Sequence, residues 1–120
     1  MGEHVHWMLE VGIAPGKGDA FKALMEEMVT STRNEPGAVS YDWNISADGA
    51  SCHIYEYYKD SAATMVHLNN FGKKFAERFL AMAKPAWFFL YGSPNAEVRA
   101  ALAGLKPTYY QPFGGFIRKS

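Results

Sequence analysis

The sequence predicts an α+β fold in which strands and helices follow in the order β-α-β-β-α-β. Alternating apolar residues indicate strands, and apolar residues at three- and four-residue steps indicate helices. An Asp-Gly pair between two β-branched and aromatic runs adds a hairpin signal. This order is typical of a ferredoxin-like domain, whose right-handed crossovers leave both helices on one face of the sheet. We expect one domain over residues 1–120, with a core at 1–92 and an extension at 93–120.

The first strand and helix are predicted in the first third of the chain. Apolar side chains occupy every second position of residues 5–13, which indicates a strand. A helix is then expected from Asp19 to Thr32, because apolar residues recur on one helical face. It ends before Pro36, which disfavours helical geometry at the preceding residue.

Two further strands form a predicted hairpin over residues 38–45 and 51–58, joined by a turn containing Asp48-Gly49. A second helix, capped by Asp60 or Ser61, is expected to reach Ala83. Along this helix His67 shares a four-residue repeat with Ala63, Phe71, Phe75 and Phe79.

The end of the chain completes the sheet and extends it. Lys84-Pro85 is expected to end the second helix, and residues 86–92 form an apolar fourth strand. Ser93 as N-cap with Pro94 at the first helical position predicts a short helix that stops at Gly104. In residues 107–117, prolines and glycines confine any strand to a sheet edge.

Composition excludes several classes of partner. Lys plus Arg equals Asp plus Glu at 12 each, so no net charge attracts nucleic acid or an anionic membrane. A single cysteine, Cys52, rules out an internal disulfide and is typical of the reducing cytoplasm. No segment approaches the roughly 20 apolar residues that span a bilayer. We therefore expect a cytoplasmic protein that binds neither nucleic acid nor membrane.

The sheet face opposite the helices is predicted to be too apolar to remain in contact with water. It carries His6, Met8, Tyr55 and Tyr57. A homodimer formed through these sheet faces would remove this surface from water without any further structural element.

One pattern connects the hairpin to the second helix. It reads Glu56, Tyr58, Asp60, Ala63 and His67, with the motif Glu-Pro-Gly at 35–37 and Tyr41 upstream. Over residues 3 to 92 the chain resembles the antibiotic biosynthesis monooxygenase (ABM) superfamily, the dimeric α+β barrel proteins. Tyr58 stands where the family has a Trp.

The resemblance implies a monooxygenase that acts on a quinol or a polyphenolic, polyketide-like aromatic without flavin, haem or metal. In cofactor-free polyketide oxygenases of this fold, an Asn, a Trp and an Arg surround the substrate, and the matching positions here hold Ile54, Tyr58 and Arg78. Haem-degrading members need an Asn, a Trp and a His, where this chain has Leu9, Tyr58 and Glu77, so haem is not expected. Because other members have no known activity, the alternative is a non-catalytic small-molecule binding or stress-associated dimeric module.

Glu56 and His67 are the candidate catalytic residues. Strand alternation turns Glu56 toward the helices, and the helical repeat turns His67 toward the same side. In the functional interpretation Glu56 orients His67, which acts as the base. In the alternative the two groups only satisfy each other and hold the helix on the sheet. Tyr58, Arg78 and the aromatic residues Tyr41 and Trp43 are the predicted substrate contacts.

Three histidines raise the question of a metal. His4 and His6 share one strand face, and His53 is expected on the neighbouring strand with the same outlook. The alternative is a frayed N-terminus and an interface histidine. No carboxylate or cysteine motif at metal spacing accompanies them, so no metal is expected.

Overall fold

The computed structural model describes residues 3–118 and arranges them as one sheet with helices on one face. The elements are β1 (Val5–Ile13), α1 (Gly18–Arg33), β2 (Ala38–Ile45), β3 (Ser51–Tyr58), α2 (Ser61–Lys74), α3 (Ala76–Met82), β4 (Ala83–Gly92), α4 (Ala96–Leu102) and β5 (Thr108–Tyr110). A 3₁₀ turn, Ala103–Leu105, follows α4. Within the described range, no helix is both long and apolar enough to cross a membrane.

The strand order is β2-β3-β1-β4-β5, and the sheet remains open rather than closing into a barrel. The first four strands pair antiparallel, which is the ferredoxin-like arrangement predicted from the sequence. The C-terminal extension adds α4 and then β5, which pairs parallel with β4 at the edge of the sheet. The predicted fold class, including the helix and edge strand at the C-terminus, is therefore confirmed.

The two faces of the sheet differ as strand alternation requires. Val5, Trp7 and Val11 of β1 are at most 3% exposed and face the helices, where they form the core. Neighbouring side chains on β1 point the other way and are only half-buried. On β4, Trp87 is 60% exposed. A wide aromatic surface therefore lies on the face without helices.

The second helix is not continuous, which corrects the prediction that it runs to Ala83. It breaks at Phe75, whose φ of −128° ends α2 before α3 begins. Gly72 lowers the helix propensity of the last turn of α2. The change of chain direction at Phe75 is stabilised because the Phe75 side chain is buried in the core. The break matters for the site because it changes the directions in which the α3 side chains point relative to those of α2.

The start of β4 also differs from the prediction, because Lys84-Pro85 lies inside the strand. Val11 pairs with Pro85 while Glu10 pairs with Trp87, so Ala86 is an extra residue in a β-bulge. A β-bulge interrupts the backbone hydrogen bonding between two strands. A proline, which has no backbone N–H to donate, is therefore tolerated there.

The helix α4 is capped by Asn95 rather than Ser93, and Pro94 therefore precedes the cap instead of following it. Asn95 Oδ1 accepts a hydrogen bond from the backbone N–H of Val98 at 3.0 Å. The backbone N–H of Ser93 instead bonds the carbonyl of His4, which joins this turn to the edge of β1. The helix ends at Leu102, two residues before the predicted stop at Gly104.

Candidate functional site

A cavity of about 210 Å³ lies between the sheet and the helices. Its walls are largely apolar and include Trp7, Leu9, Ile54, Leu68, Phe71, Phe79, Phe88 and Leu102. Leu80 and Leu105 also line it and are 55% and 38% exposed, so they mark where the cavity meets solvent. The polar lining consists of Tyr41, Glu56 and His67. Such a space, apolar with a few convergent polar groups, is typical of a small-molecule site.

His67 reaches the cavity from the first half of α2. Asp60 caps this helix, since its Oδ1 accepts a hydrogen bond from the backbone N–H of Ala63 at 2.8 Å. The cap fixes where the helix begins, and the four-residue repeat then directs His67 toward the sheet. His67 is 5% exposed, so both of its ring nitrogens need partners inside the protein.

Glu56 meets His67 from β3, where strand parity directs it toward the helices. The distance from His67 Nε2 to Glu56 Oε1 is 3.2 Å, so the predicted proximity of the two groups is confirmed. The hydroxyl of Tyr58 donates a hydrogen bond of 2.7 Å to the same Glu56 oxygen. Tyr58 is fully buried, and its ring centroid lies 5.0 Å from that of His67. Tyr58 does not itself line the cavity, so it supports the site as a partner of Glu56 rather than as the substrate contact that was predicted.

Glu35 is a further site residue that sequence reasoning did not identify. The distance between its Oε1 and His67 Nδ1 is 3.0 Å, and the side-chain amide of Asn70 donates a hydrogen bond of 3.1 Å to its Oε2. Both nitrogens of His67 thus face carboxylate oxygens, an arrangement that only the doubly protonated ring satisfies by donating twice.

The loop that carries Glu35 is held against α2 by a close contact. A Cβ atom at Gly37 would overlap the Cβ of Ala63, one helical turn before His67. The backbone N–H of Lys59 also bonds the carbonyl of Gly37 at 3.0 Å. The sequence signal for Glu35 was the Glu-Pro-Gly motif itself, whose glycine permits this approach.

The two carboxylates control the charge of His67. Burial alone lowers the pKa of His67, but the hydrogen bonds and charges of Glu35 and Glu56 outweigh it and raise the pKa to about 9. Burial raises the pKa of Glu35, yet His67, Asn70 and the charge of Lys74 together bring it below its ordinary value. At neutral pH, His67 is therefore an imidazolium that bridges two carboxylate groups.

Two tyrosines beside the cluster stay protonated. Burial raises the pKa of both Tyr41 and Tyr58, and the charge of Glu56 raises them further. The Tyr41 ring lies 5.3 Å from that of His67 between centroids and forms part of the cavity wall. Both hydroxyls therefore remain hydrogen-bond donors at physiological pH.

Trp43 and Arg78, two predicted substrate contacts, lie outside this cavity. Trp43 packs beside Phe21 and lines a separate hollow of about 410 Å³ with Cys52. Arg78 is exposed, and its Nη1 and Nη2 donate hydrogen bonds of 3.0 and 3.1 Å to the two carboxylate oxygens of Glu27. The expectation that Arg78 converges on the pocket is corrected, because the helix break at Phe75 turns α3 and points Arg78 outward.

The histidines on the other face each have a partner within the chain. The ring of His4 contacts the hydroxyl of Tyr57, and His6 Nδ1 lies 2.9 Å from the hydroxyl of Tyr55. His53 Nε2 pairs with Glu10 at 2.7 Å. Among residues 3–118, no three or more His, Cys, Asp or Glu side chains form a group that could hold a metal ion.

Comparison with protein families gives a match over most of this architecture. Residues 5–85 match the family model described as antibiotic biosynthesis monooxygenase. The matched range includes β1, the three helices α1 to α3, the hairpin, and all three members of the Glu35–His67–Glu56 cluster.

Individual relatives agree with this match. "Putative monooxygenase Rv0793" of Mycobacterium tuberculosis is 40% identical over 53 residues, which are 44% of this chain and 52% of that protein. The match thus spans about half the length of this curated relative. The solved structure of Rv0793 has a TM-score of 0.60 at 26% identity, covering 77% of this chain and 96% of that one.

Two further solved structures share the fold. MupZ from Pseudomonas fluorescens has a TM-score of 0.82 at 25% identity and covers 97% of this chain and 95% of its own. SnoaB from Streptomyces nogalater, described as a cofactor-independent oxygenase, has a TM-score of 0.66 and covers 78% of this chain and 96% of its own. At 16% identity, SnoaB is evidence for the fold alone.

Proposed function

The chain belongs to the antibiotic biosynthesis monooxygenase family, and on that premise we propose that it is a cofactor-independent monooxygenase of a quinol or related polyphenolic aromatic. The substrate occupies the cavity between sheet and helices. The observation that carries this proposal is a buried carboxylate–imidazolium–carboxylate cluster, Glu56–His67–Glu35, at the wall of an apolar cavity.

The size and lining of the cavity support a small flat aromatic. Drug-sized ligands occupy pockets of about 300 to 1,000 Å³, and this cavity is smaller, at about 210 Å³. Phe71, Phe79 and Phe88 provide flat apolar walls, and the Tyr41 hydroxyl is a donor for a ring oxygen.

The electrostatics support an assignment in which Glu56 accepts the phenolic proton and His67 stabilises the anion that forms. This reverses the roles expected from the sequence, where His67 was the base. A base must be unprotonated, whereas the raised pKa of His67, about 9, keeps its ring charged at neutral pH. A fixed positive charge in an apolar site stabilises a developing phenolate strongly.

The chemistry then needs no resident electron carrier. The deprotonated ring transfers electrons to dioxygen from its enolate carbon, and a C–O bond forms there. Glu56 returns its proton to the peroxide, and loss of water, which also takes the hydrogen from that carbon, leaves one oxygen atom in the product as a carbonyl and the other in the water. The substrate supplies both electrons that reduce the second oxygen atom. The apolar walls exclude competing water from the reactive anion.

The test is oxygen uptake with a panel of quinols, together with ¹⁸O₂ labelling of the product. Glu56→Gln is expected to lower turnover by about 10² to 10⁴, the usual contribution of a positioned base, since the amide cannot accept the proton. Glu10→Gln, which alters a partly exposed carboxylate on the opposite sheet face, is the matched control. Binding of aromatics without any oxygen uptake by the wild type would favour the non-catalytic binding module instead.

Proteins of this family are commonly dimeric, and we extend the proposal to a homodimer joined through the sheet faces without helices. The half-buried aromatic surface of Tyr55, Tyr91 and the exposed Trp87 supports this interface. A cytoplasmic location is part of the same proposal and is supported by the single free cysteine, Cys52.

A further inference from the structure

The cavity between sheet and helices has its polar lining residues at one end and an apolar wall at the other. The polar residues are Tyr41, Glu56 and His67. Glu56 pairs with Trp7 of β1, whereas Pro85, which lines the apolar end, pairs with Val11. Trp7 and Val11 are four positions apart, which is roughly 13 Å along a strand. The cavity is therefore elongated, with its hydrogen-bonding groups gathered at one end.

The polar end offers one acceptor and one donor side by side. Within residues 3–118, the Tyr58 hydroxyl and His67 Nε2 both contact Oε1 of Glu56, which leaves Oε2 to accept a hydrogen bond from a ligand. Tyr41 lies directly opposite Glu56 in the β2–β3 pair, and its raised pKa keeps its hydroxyl protonated as a donor. Two neighbouring oxygen atoms of one ligand match this arrangement, because one can donate to Glu56 while the other accepts from Tyr41.

The other end of the cavity is apolar as far as solvent. Leu102 is buried in its wall, and the partly exposed Leu80 and Leu105 form its mouth. β5 begins with Thr108 opposite Phe89 and runs parallel to β4, so the turn that carries Leu105 lies toward the start of β4. A hydroxyl placed at this end would lose its water and meet only apolar side chains. An alkyl chain of a few carbons would instead be stabilised by leaving water.

We propose that the cavity selects an ortho-dihydroxy aromatic ring with an alkyl chain on the side of the ring away from the two hydroxyls, and that Leu105 determines this specificity. The inference rests on the proposed function, since such an ortho-quinol is one form of the quinol substrate named there. One hydroxyl donates to Glu56 Oε2, and the other accepts from Tyr41. The chain passes Leu102 and leaves between Leu80 and Leu105, where it fills the mouth and shields the reactive anion from water.

The selective end of the cavity is built by the C-terminal extension. Leu102 and Leu105 belong to α4 and the turn after it, outside residues 5–85 that match the family model. The selectivity is thus a property of the extension of this chain rather than of the matched core. Because Leu105 is 38% exposed, it can be replaced without opening the core, which makes it the residue to test.

The test is isothermal titration calorimetry of the protein with 4-alkylcatechols under argon, so that no oxygen reacts during binding. Across the methyl, propyl and pentyl members, each added methylene is expected to lower Kd by about two- to fourfold, where fourfold corresponds to complete burial. A Kd that does not depend on chain length would overturn the proposal.

Two isomers of the pentyl compound test the orientation of the ligand. In 3-pentylcatechol the chain lies beside a hydroxyl, so it cannot reach the mouth while both hydroxyls occupy the polar end. It should bind about tenfold more weakly than 4-pentylcatechol, although its apolar content is the same. In 2-pentylhydroquinone the second hydroxyl points to the apolar end without a partner, and a similar tenfold loss is expected. Equal affinity for the three isomers would show that binding reports apolar content alone and would overturn the proposal.

Variants at the mouth test the role of Leu105. Leu105→Ala should reduce the ratio of the methyl to the pentyl Kd by about threefold or more, because it removes apolar surface beside the outer methylenes. Leu105→Met retains the apolar volume and should keep most of that ratio. Val66→Ala is the matched control, since Val66 is an exposed apolar residue of α2 that lies outside the cavity lining. A ratio that is unchanged in Leu105→Ala, or equally reduced in Val66→Ala, would overturn the assignment of Leu105.

Oxygen uptake separates this inference from the proposed function. In air, and after correction for autoxidation, kcat/KM for the 4-alkylcatechols should rise with chain length as the affinity does. Selective binding without oxygen uptake would refute the monooxygenase assignment and leave the ligand class standing. Oxygen uptake that was indifferent to chain length and isomer would refute the ligand class and leave the monooxygenase assignment standing.

Discussion

Replacing His67 by Gln should make the protein less stable near neutral pH, by an amount that the charge state of the ring determines. The folded-state pKa of His67 is about 9, against an ordinary value of 6.5. Since one pKa unit corresponds to about 1.4 kcal/mol, the cluster stabilises the charged ring by about 3 kcal/mol. This agrees with the roughly 3 to 5 kcal/mol lost when one partner of a buried ion pair is removed.

The stabilisation should depend on pH in a definite direction. A pKa that folding raises contributes stability that is complete below the unfolded value and disappears as pH rises through the folded value. For His67 this window runs from 6.5 to about 9. Glu35 has a lowered pKa, so its contribution is present above the ordinary value of 4.5 and is lost in acid as pH falls through the folded value. The cluster should therefore be most stabilising between these two windows, in mildly acidic solution.

Urea unfolding at intervals from pH 5 to 10 measures this directly. The difference in unfolding free energy between wild type and His67→Gln should be greatest near the acidic end of this pH range. It should be smaller by about 3 kcal/mol at the alkaline end. His53→Gln is the control, because the His53–Glu10 pair is largely exposed and screened by solvent. If the wild-type and His67→Gln profiles stayed parallel between pH 6.5 and 9, the buried ring would not be an imidazolium.

Two further predictions concern the loop and the tail. Gly37→Ala should destabilise the fold by about 1 to 3 kcal/mol, the usual cost of overpacking, because the new methyl group meets Ala63; Gly104→Ala, with open space around it, is the control in the same thermal melt. Deletion of residues 107–120 removes β5 and the fully exposed Phe113, so it should weaken the proposed dimer in sedimentation and lower the melting temperature. A truncated protein with unchanged mass and melting temperature would show that the tail contributes to neither.

The Glu56–His67 contact was predictable from the sequence because two local periodicities determine it. Strand alternation assigns Glu56 to a face whatever the strand packs against, and the Asp60 cap fixes the phase of α2. Each signal extends over only a few residues, so neither depends on distant contacts. The hairpin and the strand order were also predictable, because the hairpin follows from its turn residues and the strand order from the handedness of the crossovers.

Glu35 and Arg78 were less predictable because tertiary contacts position them. Glu35 lies in a loop, where no periodicity indicates a direction, and its contact with His67 requires the approach of Gly37 to Ala63. Arg78 was expected at the pocket only because the family resemblance matched it to an arginine beside the substrate. The helix break at Phe75 separates α3 from α2, and Arg78 pairs with Glu27 at the surface. Gly72 weakens the helix locally, but burial of the Phe75 ring is a tertiary contact that local propensity does not predict.

The composition of the cluster favours a role in the proposed chemistry over a purely structural one. To hold α2 on the sheet, one neutral hydrogen bond between His67 and Glu56 would suffice, at a lower desolvation cost than three buried charges. The second carboxylate, Glu35, adds a further buried charge and leaves the cluster with a net charge of one negative unit. Its contact with His67 Nδ1 helps to keep the ring protonated, and a protonated ring is what the proposed stabilisation of a phenolate requires.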